Sequence, residues 1–398
     1  MRILIIAEGD LGGALSGTER VVMGHATELI RRGHQVMVMA FGEDSPCTVG
    51  TIQGVPVRQY RMSFKAPWTT RRRLRRLPEG EMPDLLLAYQ PFAAAGIPRS
   101  GSWREVPLCY VALATWEDEY AVRQGASRKP RPWVPIMMRL RGWIEEISLR
   151  RASRILVLSR FTQSCVQAAH PKIDGAFRVV PGGVDVDRFR PVAERMAVRR
   201  VLGLPERNIL LLTVRNLEPR MGLENLLRAY RLALAKRPDL TLAIGGKGPL
   251  DRTLRALAEE LGVAPHVHFL GYIPDDVLPR YYQTADLFIL PTTAHEGFGL
   301  VTVEALACGT PVLGTPVGAT PEILGEVDAA LLAYDASPEA LAHGIDRWLA
   351  RHDQDALRAR CRAVAERRYS WVAVGQGLEQ VFREAVGKTR GGGEWKER

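Results

Sequence analysis

Two glutamates eight residues apart, Glu296 and Glu304, bracket the glycine-rich turn of HEGFGLVTVE, residues 295–304. An apolar run, DLFILP, precedes the turn and a helical pattern, LVTVEALACG, follows it, so the turn joins a strand to a helix that starts near Gly299. Gly297 and Gly299 let the backbone turn tightly and approach a ligand. The first amides of such a helix lack partners within it and lie at its positive end, which suits a diphosphate. Carboxylates in contact with phosphates would repel them. The pair therefore reads as acceptors for hydroxyls on either side of a diphosphate, one gripping a sugar and the other a ribose diol.

A second glycine-rich loop, LGGALSGTER, follows the first apolar run, RILIIA. Gly12, Gly13 and Gly17 allow close backbone approach to phosphate or acceptor, although no GxGxxG is present. Asp185 and Asp187 form a DxD in GVDVDRF, and no cysteine, histidine and carboxylate cluster has metal-ligand spacing. His25 and His34 flank a helix and are read as exposed or capping.

The elements that must position these residues form two similar halves. In the first, RILIIA, the loop, the amphipathic VVMGHATELIRRG and HQVMVMA make a βαβ unit, so a parallel sheet is expected. Gly33 is the expected C-cap of its helix. In the second, ILLLTV is followed by the loop RNLEPRMG and the helix LENLLRAYRLALAKR. DLTLAIGG, VHFLG, DLFILP and PVLGTP then alternate with helices, the doubly wound pattern. Pro and Gly cluster in VVPGGVDVDRFRP (179–191), which sets the expected boundary. The expected division is 1–185, 186–370, a helix at 371–388 crossing back to the first domain, and a disordered tail at 389–398. Each motif follows a strand, so all are expected at a cleft between the carboxyl ends of two facing Rossmann-like sheets.

Length agrees: 398 residues exceed the roughly 250–300 at which one core stops growing. The net charge of +10 suits nucleic acid, a membrane surface or a phosphorylated small molecule. Its densest stretch is RRRLRR, with Arg71, Arg72, Arg73, Arg75 and Arg76, read either as a solvated face or as a dock for anionic lipid headgroups. Five scattered cysteines without a CxxC suggest no disulfide framework and fit a reducing cytosol. The apolar run Ile3 to Ala7 is too short for a signal peptide, and no stretch approaches 18 apolar residues. A cytoplasmic protein, peripheral on the inner face of the membrane if the arginines dock, is expected.

The quoted stretches together resemble a known family. EGFGLVTVEALACGTPVLGTPVGATPEIL, GGKGPL, VHFLGYIPDDVLPRYYQTADLFILP, RILVLSRFT and VVPGGVDVDRF are similar to the retaining, nucleotide-sugar-dependent glycosyltransferases of the GT-B fold, family 4. The resemblance spans residues 1–385. It implies that Glu296 binds the donor sugar, Glu304 the ribose, and the Gly297, Phe298, Gly299 and Leu300 backbone the sugar and diphosphate. The family places an arginine and a lysine on the loop after the first strand of the second domain, against the charge left on the diphosphate. Arg215 falls on the arginine position. Met221 occupies the lysine position, and the adjacent Arg220 is expected to supply that charge, a swap that changes the grip on phosphate.

In the first domain Gly17 and Gly13 match the loop beneath the donor. A family histidine near the reacting sugar is absent, because Leu113 or Ala114 stands there. Trp116, Glu117 and Glu119 follow as candidates for holding the acceptor. The family places the nucleotide base near VHFLG, where His266 and His268 lie, and uses the DxD structurally, so no metal cofactor is expected. The resemblance implies front-face transfer with retention and no protein nucleophile, consistent with the lack of a hydrolase constellation. Met221 and the missing histidine motivate an alternative, a catalytically impaired relative that binds nucleotide sugars as a regulatory subunit. A nucleic-acid-binding protein lacks a recognition motif, and a nicotinamide-dependent oxidoreductase lacks its fingerprint.

Overall fold

A computed structural model describes residues 1–13, 15–42, 48–61, 66–76, 82–115, 134–173 and 177–389. The chain forms two compact units: one contains Met1–Gly182 together with the chain from Trp371 onward, the other Gly183–Ser370. The tail residues 390–398 lie outside the described residues.

Among the described residues the first unit is built on eight strands: β1 (Arg2–Glu8), β2 (Gln35–Gly42), β3 (Thr48–Ile52), β4 (Val55–Arg61), β5 (Leu85–Tyr89), β6 (Leu108–Ala112), β7 (Arg154–Val157) and β8 (Phe177–Val179). Their order is β3-β4-β2-β1-β5-β6-β7-β8. The central strands are apolar throughout, since helices cover both faces: Ile5 and Ile6 in β1 and every residue of β5 and β6 are buried. Register is continuous across the centre, with Ile5 opposite Val38 on one side and Leu87 on the other. Among the described residues all pairs are parallel except one. At the edge β3 runs antiparallel to β4, so the expectation of a parallel sheet is corrected there. Gln53 (φ 50°) and Gly54 (φ 82°) both take positive φ, the two-residue turn whose twist suits a hairpin.

The second unit has five parallel strands in the order β11-β10-β9-β12-β13. These are β9 (Ile209–Val214), β10 (Leu240–Gly245), β11 (Val267–Gly271), β12 (Leu287–Leu290) and β13 (Val312–Gly314). Strand order reverses between β9 and β12, where Leu212 pairs with Ala243 on one side and Phe288 on the other. In doubly wound sheets the crevice at such a reversal is where ligands bind.

Beneath the second sheet, Asp286 ties the helix Arg195–Val201 to the start of β12. Its carboxylate meets Arg195 at 2.7 Å and Arg199 at 2.6 Å, and accepts from the Leu210 amide. Burial pushes the Asp286 pKa up, but the two arginines and that amide outweigh it and hold the carboxyl below its ordinary value. The last helix, Trp371–Thr389, belongs to the first unit. Its Glu379 pairs with Arg32 at 2.7 Å, and its Glu384 with Arg154 at 3.1 Å and Arg178 at 2.6 Å.

His25 is buried, not exposed or capping. Its ring lies edge-on to Trp371 with centroids 5.7 Å apart, and its Nδ1 meets the Tyr89 hydroxyl. Gly24 makes room for this contact, because any side chain there would run into the indole. His34 instead pairs with Glu379 at 3.0 Å.

Candidate active site

The loops that leave β9 and β12 flank the reversal in the second sheet, and they carry Arg215, Arg220 and Glu296. Arg215 directly follows β9, and its amide donates to the Gly245 carbonyl at 2.9 Å. Its buried guanidinium donates from Nη2 to Glu296 Oε2 at 2.6 Å and contacts Met221 Sδ at 2.8 Å. Met221 is buried as well, so the thioether at the family's lysine position packs against the arginine. Thr292 Oγ1 donates to the same Glu296 oxygen at 3.1 Å. A carboxylate and a guanidinium removed from water are tolerable only when paired in this way.

Arg220 takes a different place. It donates from Nη1 to the His295 carbonyl at 3.0 Å, and its Nε lies 3.6 Å from Glu218. Its own carbonyl accepts from the Thr293 amide at 2.9 Å and the Thr293 hydroxyl at 3.1 Å. Arg220 therefore binds the two loops together, while Arg215 is the cation on Glu296. His295 sits at φ 54°, a strained value for a histidine, just before Glu296. The loops also touch at Gly222 (φ 70°), where a Cβ would collide with the Pro291 carbonyl.

The helix Leu300–Ala307 starts at Gly299, whose φ of 88° is left-handed and favours glycine. No side chain caps this end, which leaves first-turn amides for a ligand. Phe298 turns its ring inward onto Tyr369, with centroids 5.8 Å apart, so its backbone is what it can offer a ligand. Glu304, buried in the helix, accepts from the Tyr282 hydroxyl at 2.9 Å. Arg215, Glu296, Gly297 to Leu300 and Glu304 are thus assembled within one unit. Thr292 and Tyr282, which orient the two glutamates, carry no sequence signal: one lies in the loop after β12 and the other looks like an ordinary helix residue.

In the first unit, Gly13 and Gly17 are exposed and Gly17 opens the helix Gly17–Arg31. Glu19 braces the loop before them, accepting from the Asp10 amide at 3.0 Å and the Ser16 amide at 2.5 Å. Leu113 and Ala114 follow β6. Trp116, Glu117 and Glu119 lie outside the described residues. Asp185 accepts from the amides of Asp187 and Arg188 at 3.0 and 3.1 Å, a turn of its own.

Comparison with known proteins bears on the fold and the family. The family description "Glycosyltransferase Family 4" matches residues 15–188, and "Glycosyl transferases group 1" matches residues 194–368. Among solved structures, sucrose-phosphate synthase from Thermosynechococcus elongatus superposes with a TM-score of 0.77 at 21% identity, covering 97% of this chain and 99% of that one. Anabaena HepE in complex with UDP-glucose gives 0.71 at 20% identity, over 96% and 99%. The fold is that of the GT-B glycosyltransferases, and the chain belongs to the group 1, family 4 glycosyltransferases.

Among curated relatives, the GDP-mannose-dependent alpha-(1-6)-phosphatidylinositol monomannoside mannosyltransferase of Mycolicibacterium smegmatis is 34% identical over 58% of this chain. The match spans only 62% of that protein's length. The D-inositol 3-phosphate glycosyltransferase of Saccharomonospora viridis is 29% identical over 92% of this chain and 88% of its own.

Proposed function

We propose that the protein transfers a sugar from a nucleotide-diphosphate sugar to a hydroxyl acceptor with retention of configuration and without a metal ion. The observation that carries this reading is the buried Arg215–Glu296 pair beside the uncapped start of the helix Leu300–Ala307. In it, Glu296 accepts sugar hydroxyls, Glu304 the ribose diol, and the Gly297 to Leu300 backbone meets the sugar and diphosphate. As the bond from the anomeric carbon to the diphosphate oxygen breaks, Arg215 and the helix amides take up the charge left on that oxygen. The same oxygen accepts the proton of the acceptor hydroxyl as the new bond forms on the same face, so no protein nucleophile is required. Arg220, latched to His295, fixes the Glu296 loop and adds positive potential.

GDP-mannose, named in one relative, and UDP-glucose, bound by HepE, are the first donors to try. A lipid-linked glycan, a polysaccharide precursor or a small aglycone is the acceptor. For a lipid acceptor, Arg71, Arg72 and Arg73 on the helix Ala66–Leu74, with Arg75 and Arg76 after it, dock on anionic headgroups, and the neighbouring Trp68, 69% exposed, enters the interface. Among the described residues no helix is long and apolar enough to cross a membrane.

The test is nucleotide-sugar hydrolysis and binding without added metal, with Arg215→Ala and Glu296→Ala alongside. Loss of about 10²–10³-fold in turnover for Arg215→Ala is expected, the size seen when one charge-stabilising donor is removed. Nucleotide binding with no turnover under any condition would favour the catalytically impaired regulatory relative, and no binding would end both readings.

A further inference from the structure

The edge of the first sheet opposite its carboxyl ends carries a recess of about 590 Å³, within the roughly 300–1,000 Å³ of small-molecule sites. It lies at the amino ends of β1, β2 and β4, where Arg2, Leu4, Met37, Pro56 and Arg58 line it. Side chains alternate across a strand, so register fixes the face each one occupies. Leu4 stands opposite Met37, and Met39 opposite Arg58. Leu4 and Met39 belong to one cluster with Tyr60 and Leu74, and Met37 packs against it. Arg58 is therefore on the face that the helix Ala66–Leu74 covers, two residues before Tyr60 on β4. That nine-residue helix spans about 14 Å, whereas seven-residue β1 spans about 23 Å. The helix is too short to cover the face from end to end, and the recess lies toward the amino ends.

The lining joins an apolar floor to a cationic rim. Leu4 and Met37 form the floor, and the thioether of Met37 adapts to an irregular apolar guest. At the rim, Arg2 lies 4.0 Å from Asp84, whose carboxylate also accepts from the Arg2 amide at 2.8 Å. His34 is engaged as well, 3.0 Å from Glu379 and 3.4 Å from the Met1 amino group. Arg58 differs. It is half-buried, and it makes no hydrogen bond or ion pair with any described residue. A guanidinium partly withdrawn from water, with no carboxylate against it, is a ready partner for a carboxylate or phosphate. A sugar or nucleotide laid on this floor would bury hydroxyls against methylenes that cannot pair with them. An alkyl chain would not. The guest that matches both parts is an amphiphile, with its chain on the floor and its anionic head at Arg58.

We infer that this recess binds a single alkyl chain bearing an anionic headgroup, the chain against Leu4, Met37 and Pro56 and the headgroup on Arg58. Neither the transfer reading nor docking by the arginine helix is required for it. The two features do share a sheet face, since Arg73 of that helix sits over Tyr60 at 5.3 Å. A chain held here would be either one chain of a bilayer lipid or that of a free amphiphile.

The experiment is calorimetric titration of the full chain with octanoate, decanoate and dodecanoate below their micelle concentrations, with decyl maltoside as the uncharged comparison. Each added methylene should tighten binding about fourfold. Decyl maltoside should bind at least tenfold more weakly than decanoate. Arg58→Gln should weaken decanoate about tenfold, the size expected for one charge-assisted hydrogen bond. Met37→Trp, which fills the recess, should abolish binding. Thermal unfolding of both variants checks their folding, and the chain-length series on wild type stands whether or not Met37→Trp folds. Changing Arg71, Arg72, Arg75 and Arg76 to glutamine should leave decanoate binding intact. Loss of binding in that variant would move the site to the arginine helix and overturn the recess. So would affinity independent of chain length, equal binding of decyl maltoside, or binding unaltered by Arg58→Gln and Met37→Trp. Sedimentation with phosphatidylglycerol vesicles then separates the two sources. Weaker sedimentation of Met37→Trp supports the recess as a holder of bilayer lipid, and unchanged sedimentation with lost decanoate binding supports it as a site for a free amphiphile.

Discussion

At the scale of single residues, the site depends on how its two glutamates are held. Glu304 is oriented by the Tyr282 hydroxyl at 2.9 Å inside the second unit. Tyr282→Phe removes that one hydrogen bond without opening a cavity. A neutral hydrogen bond contributes about 1 kcal/mol, so the donor KM should rise roughly fivefold. Turnover at saturation should change little, because in our reading Glu304 grips the ribose and not the reacting carbon. A matching fall in kcat would instead place Glu304 at the chemistry. The two glutamates were legible in the sequence because their spacing straddles a glycine turn between a strand and a helix. Their supports were not. Thr292 and Tyr282 are placed by folding alone, and nothing in PRYYQTA distinguishes the tyrosine that faces Glu304 from the one beside it. The different partners of Arg215 and Arg220 were equally hidden: whether a guanidinium reaches a carboxylate or a carbonyl is set by the path of its loop.

At the scale of elements, the apolar strands of the second half and the helix start at Gly299 could be read directly, because buried parallel strands and an uncapped glycine leave strong patterns. The hairpin β3–β4 could not. TIQGV is short, its outer strand is exposed, and the positive φ at Gln53 is a property of the turn, not of a glutamine. The helix Ala66–Leu74 was legible as a run of arginines but not as a surface. The structure shows Arg71, Arg72, Arg75 and Arg76 exposed, and Arg73 set over the Tyr60 ring at 5.3 Å. If this element docks on anionic lipid, vesicles containing phosphatidylglycerol should sediment with the protein and purely zwitterionic vesicles should not. Changing Arg71, Arg72, Arg75 and Arg76 to glutamine should weaken binding by about 10³-fold, at roughly 1 kcal/mol per charge. High salt should act in the same direction. Equal binding to neutral vesicles, or no loss in the variant, would assign the arginines to a solvated face.

At the scale of the molecule, the helix Trp371–Thr389 returns to the first unit, and His25 records the consequence. Its environment is made by three distant parts of the chain: the helix Gly17–Arg31, Tyr89 at the end of β5, and Trp371 at the start of the last helix. A histidine on a helix face could not be recognised as buried before the element that covers that face was known. Burial pushes its pKa down to about 3, against about 6.5 for an ordinary imidazole. The unfolded chain therefore takes up this proton below about pH 6.5, while the folded unit refuses it until about pH 3. Stability from this group is complete above pH 6.5 and declines as pH falls through that window, by about 1.4 kcal/mol per pH unit. Between pH 6.5 and pH 5 the loss is about 2 kcal/mol. In His25→Gln, which keeps a polar group toward Tyr89 but does not titrate, urea unfolding of the first unit should show a pH slope between 6 and 4 shallower by that amount. The variant should be less stable than wild type at pH 7 and lose that disadvantage as the solution is acidified. Parallel slopes would mean that His25 is protonated without unfolding, through an opening of the last helix away from the helix Gly17–Arg31. In that case hydrogen exchange in Trp371–Thr389 should accelerate below pH 6 while the strands of the same unit stay protected.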